Sequence, residues 1–198
     1  MDVELASSIS IYTQIFIALL VTVLLFKKLP FKYLGLKKDI LKGLLAGFLF
    51  TLPMFIGYGY QANFQFDISL SSIHLNMVIA GFFEEFMFRG FVFGILFYYG
   101  GLGFVSAILI PSLFFGLGHL YQAESLTDSI SIFIFTALSS AGFAWFYISW
   151  GSLWMVIFLH GFMDLAWSMF KIEANATGDL YSNIFRFITL GLVILLED

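Results

Sequence analysis

Long apolar runs alternate with short polar or glycine-bearing stretches along the whole chain, and this spacing predicts helices that cross a bilayer. A span needs about 20 mostly apolar residues, and the runs fall at 8–26, 43–60, 72–98, 103–121, 129–149, 152–170 and 183–196. The last run is short and is expected to tilt or to pack at an interface. The connections at 98–103 and 149–152 are tight, so the helices they join are expected to lie antiparallel. No internal repeat is visible. The predicted fold is all-α: a polytopic transmembrane helix bundle of about seven spans, forming a single membrane domain over residues 1–198.

Composition sharpens this picture. Of the 198 residues 61% are hydrophobic, 20% aromatic and only 11% charged, far from the balance of a soluble domain. Seven spans leave no room for a separate soluble domain. The absence of cysteine excludes disulfides, thiolate metal sites and a cysteine nucleophile. Net charge is −4, yet six of the nine basic residues (Lys27, Lys28, Lys32, Lys37, Lys38 and Lys42) fall in one short stretch. That clustering bears on membrane orientation and not on nucleic acid, because short loops rich in Lys and Arg stay cytoplasmic. The expectation is a multi-pass protein of the cell membrane with the Lys27–Lys42 loop inside and the N-terminus outside. Segments 61–71, 122–128 and 171–182 then lie outside, carrying Asp67, Glu124, Asp128, Glu173 and Asp179 against Lys171 alone. Asp2 and Glu4 precede the first run where a signal peptide would be basic, so that run is read as a retained span. Tyr58, Tyr60, Tyr98, Tyr99, Tyr121, Trp150 and Trp154 stand near span ends, as an interfacial belt does.

Ionisable groups inside the hydrocarbon cost roughly 2.5–3.5 kcal/mol each on insertion scales and are usually retained because they face a cavity and work there. Three predicted helices carry such groups: the third holds Glu84, Glu85 and Arg89, the fourth Phe115 and His119, the sixth His160 and Asp164. Glu85 and Arg89 are four apart on one helical face and can neutralise each other, which leaves Glu84 as a carboxylate without a partner in its own helix. The same spacing lets Asp164 orient His160 and lets Phe115 wall a cavity beside His119. His74, near Ser71, Ser72 and Asn76 at the outer end of the third helix, is explained by interfacial exposure. Gly116, Gly118, Gly142 and Gly161 are expected to let helices approach closely. Pro111 is expected to kink the fourth helix and could free a carbonyl. Counting rise per residue, His119 falls roughly 10 Å nearer the outside than Glu84 and His160. A kink, a tilt or different helix ends must close that gap.

These residues resemble the signature of the CPBP family, also called Abi or type II CAAX-protease-like proteins: E-E-x-x-x-R, then F-x-x-x-H, then H-x-x-x-N or D, on separate membrane helices. Glu84-Glu85 with Arg89, Phe115 with His119, and His160 with Asp164 match it in order, within a core of about residues 72–170. The resemblance implies an intramembrane endopeptidase acting on a lipid-modified, hydrophobic or short peptide. It implies Glu84 as general base with His119 assisting, His160 and Asp164 facing the oxyanion, and Glu85, Arg89 and Phe115 in support. An ionised Asp164 would repel an oxyanion, so it must be protonated, orient His160 only, or help hold a cation.

Two mechanisms stay open on the sequence. Glu84, His119, His160 and Asp164 are competent ligands for zinc or another divalent cation, although no H-E-x-x-H is present. The preferred reading needs no cofactor. The partners expected are the lipid bilayer and a peptide or membrane-protein substrate, with no nucleic acid. The rival function is non-hydrolytic: an ion-coupled carrier or a peptide-binding immunity module using the same polar cavity, since intramembrane Glu, Asp and His serve proton relays as well.

Overall fold

The computed structural model describes residues 3–27, 34–37 and 40–197, with side chains from residue 12 onward. Among the described residues there is no strand, and helices follow one another through the chain. They are α1 (Val3–Phe26), α2 (Ile40–Gln61), α3 (Leu70–Ile73), α4 (Phe104–Gly118), α5 (Leu126–Trp150), α6 (Leu153–Met169) and α7 (Leu180–Leu195). Short α3 runs on directly into a π-helix, His74–Phe93, and then Ile95–Tyr99. Lys28, Lys32 and Lys38 of the lysine cluster lie outside the described residues.

Each apolar run has become a helix, and the ends that differ have local causes. Helix α5 begins at Leu126 and not at 129 because Ser125 caps it: its Oγ accepts from the Asp128 N–H and donates to Asp128 Oδ2. Asp179 does the same for α7 by accepting from the Ser182 N–H. Helix α4 stops at Gly118, with His119 as its C-cap, and a 3-10 turn, Leu120–Gln122, follows. The winding of His74–Phe93 is the larger departure from expectation. Bonds closing five residues back, such as Gly94 N–H to the Arg89 carbonyl, wind more residues into each turn.

Helix α6 packs most extensively, against α2 on one side and the π-helix on the other, while α4 pairs with α5 and α7 with α2. Missing side chains set these distances. A Cβ on Gly81 would stand 2.9 Å from Gly161 Cα, and one on Gly47 would stand 2.7 Å from the Leu159 nitrogen. Gly116 and Gly161 thus serve close packing as expected, whereas Gly118 and Gly142 do not: a Cβ at either meets nothing within 4 Å. The sequence reading credited those two because glycine identity alone does not say which helix face it occupies.

The core between these helices includes Met54, Tyr58, Phe93, Ile157 and Leu159. Outward, Phe48, Leu49, Ile56, Leu109 and Phe114 stay exposed, the surface a bilayer covers. Among the described residues α2, Phe104–Gln122 and α5 are long and apolar enough to cross a membrane, and Tyr12–Phe26, α6 and α7 are shorter apolar helices. The protein is an all-α membrane bundle.

Candidate active site

The π-helix and α6 cross at Gly81 and Gly161, and the charged groups sit beside that crossing. Glu85 and Arg89 are fully buried, and Arg89 Nη1 donates to Glu85 Oε1 at 2.8 Å. The same oxygen accepts from His160 Nδ1 at 2.6 Å. A carboxylate at this oxygen only accepts, so His160 carries a proton on Nδ1. On the other edge of the ring, Nε2 lies 3.5 Å from Asp164 Oδ2. Both expected i,i+4 pairs are present. The link between them, Glu85 to His160, was not expected from sequence, which assigned Glu85 to Arg89 alone.

His119 reaches this cluster from the end of α4. Its Nδ1 donates to the Phe115 carbonyl at 2.8 Å, which fixes the tautomer and leaves Nε2 as a free acceptor. The Phe115 ring is 4.5 Å from the His119 ring and 6.4 Å from that of His160. The Arg89 guanidinium lies 4.5 Å from the Phe115 centroid and 5.4 Å from that of Phe143. Phe115 is therefore more than a cavity wall, because it holds the arginine in a cation-π contact. His119 and His160 line one cavity despite the difference in depth counted along the helices. Pro111 is buried inside α4, within a helix that continues on both sides of it.

One cavity of about 560 Å³ is lined by Phe115, His119, His160 and Asp164 together. Glu84 is not among its lining residues. Its Oε2 is buried with no hydrogen-bond partner, and His160, Asp164, Arg89 and Glu85, but not His119, are near enough to feel its charge. No three His, Asp or Glu side chains among the described residues gather as metal ligands would. The side chains as placed do not fit a metal.

A family model, type II CAAX prenyl endopeptidase Rce1-like, matches residues 66–166, just over half of the chain. The chain belongs to this Rce1-like family. Its membership supports a CAAX-type protease working within the membrane. Comparison with curated proteins and with solved structures gave no match. The Rce1-like stretch contains Glu84, Glu85, Arg89, Phe115, His119, His160 and Asp164. Other polar residues that sequence reasoning passed over also face the cavity. Asn76 donates to Ser168 Oγ at 2.7 Å, and both residues line the wall. Arg186, beyond the Rce1-like stretch, lines it from α7. Its signal in the sequence was an arginine inside the last apolar run.

Proposed function

We propose that the chain is an intramembrane endopeptidase that hydrolyses a peptide bond in a hydrophobic, lipidated or short peptide substrate, using a water activated by Glu84 and His119. The observation that carries this reading is the Arg89–Glu85–His160 relay. It joins two of the three motifs by hydrogen bonds and turns His160 toward the cavity that His119 also lines.

On this reading Glu84 turns its unpartnered carboxylate into the cavity and takes a proton from a water there, with the free Nε2 of His119 accepting from the same molecule and aiming it. The water oxygen bonds to the scissile carbonyl carbon, the C–N bond breaks, and the proton passes to the leaving amine. A His160 ring holding both protons donates its Nδ1–H to Glu85, and its Nε2–H turns from Asp164 to the oxyanion as charge develops. Asp164 orients the ring. Glu85 and Arg89 position His160.

The test is proteolysis of a quenched fluorescent apolar peptide by the purified full chain in detergent, with new termini read by mass spectrometry. Glu84→Gln is expected to lower kcat about 100-fold or more while the helical circular dichroism and Tm stay unchanged. Undiminished kcat in that variant removes Glu84 as the base. Transport of the peptide into vesicles without new termini would establish the carrier instead.

A further inference from the structure

Asn76, near the start of the π-helix, lines the cavity with an amide whose two ends are unequally employed. Its Nδ2 donates to the Ser72 carbonyl at 2.8 Å and to Ser168 Oγ at 2.7 Å, with a longer contact to Ser72 Oγ at 3.3 Å. A carbonyl only accepts, so the nitrogen must face Ser72, and the two shorter bonds use both of its hydrogens. Ser168 Oγ gives its own proton to the Leu165 carbonyl at 3.3 Å. Asn76 Oδ1 is thereby the free end of a fixed amide, and among the described residues nothing donates to it.

Pinning the π-helix to α6 needs only the nitrogen side of this group. The oxygen is left over beside walls that are largely apolar, including Leu138, Phe146 and Met163. An apolar peptide entering such a space always brings main-chain N–H groups, which need an acceptor once water is stripped from them. The acceptor also stands at a set distance from the hydrolytic groups. A Cβ on Gly161, next to His160, would meet the Asn76 carbonyl at 3.3 Å, and the rise of α6 from His160 to Ser168 is about 12 Å. That length corresponds to about four residues of extended peptide.

We infer that Asn76 Oδ1 accepts a main-chain N–H of the bound substrate within about four residues of the scissile bond, holding the peptide extended whatever its side chains are. This deepens the peptidase reading of the cavity and rests on it, but binding tests it apart from cleavage.

The probe is an N-terminally dansylated hexapeptide amide of leucine, valine and alanine, together with a series in which each main-chain amide in turn becomes an ester. The exchange removes one N–H and adds no bulk. Binding to the detergent-purified full chain is measured by anisotropy, and cleavage is scored separately by mass spectrometry. One ester is expected to bind about fivefold or more weaker than the all-amide peptide, and Asn76→Leu is expected to erase that penalty. Ser168→Ala, which keeps the oxygen but frees the amide to turn, is expected to reduce it, and this variant serves if Asn76→Leu does not fold. A series with no sensitive position, a penalty that persists in full in either variant, or no binding of any peptide overturns the inference. An Asn76-dependent penalty without cleavage supports the contact and overturns the peptidase. Cleavage with equal binding of every ester does the reverse.

Discussion

Glu85 Oε1 accepts from Arg89 and from His160, and taking away either donor leaves buried charge behind. Arg89→Met is expected to destabilise the protein by about 3–5 kcal/mol, since it strands the carboxylate. Thermal unfolding in detergent would measure this, and the Glu85→Gln, Arg89→Met double variant should lose less than the sum of the two single changes. A strictly additive result would mean that the pair is not coupled. Arg89→Lys should rescue poorly, because the Phe115 and Phe143 rings grip a flat guanidinium and not a compact ammonium. The proposed activation of water by Glu84 and His119 needs no metal, so dialysis against a strong chelator should leave kcat unchanged; loss of activity restored by added zinc would reverse that reading. Glu85–Arg89 and His160–Asp164 were legible in the sequence because four residues is one helical turn. Glu85–His160 spans 75 positions, and no local spacing announces it.

The crossing of the π-helix with α6 is where element geometry reaches the chemistry. A Cβ on Gly81 meets the backbone of α6, both Gly161 Cα and the Ile157 carbonyl at 2.9 Å, and backbone cannot swing aside. Gly81→Ala should therefore pry the helices apart, costing about 1–3 kcal/mol and lengthening the contact between Glu85 and His160, with a matching fall in kcat. Gly142→Ala, whose Cβ meets open space, should leave Tm the same or slightly raised. Equal losses in both would show that packing at Gly81 is not special. The apolar runs located each helix because hydrocarbon demands length and apolarity. They missed the starts of α5 and α7 by three residues, since Ser125 and Asp179 are polar caps outside the apolar pattern. The π-winding left no sequence trace: a run apolar on every side reads the same whether bonds close four residues back or five.

Seen whole, the bundle places Gln122 and Glu173 to Ala176 around the cavity, all on connections assigned to the outer side by the lysine cluster. The chain has no cysteine, so single replacements can report that orientation. Lys171→Cys is expected to react with an impermeant maleimide in intact cells, and Lys37→Cys only after permeabilisation; the opposite pattern would invert the protein and its cavity. Hydropathy made the membrane legible, but not which groups share one pocket, because that depends on contacts among helices far apart in sequence. The relay also bears on how the protein is made. The helix bearing Glu84, Glu85 and Arg89 leaves the ribosome well before α6, and until His160 arrives Glu85 lacks one of its two donors. That segment should therefore be held at the translocon, or remain poorly inserted, in a nascent chain truncated after Trp150, and settle into lipid once α6 has been synthesised.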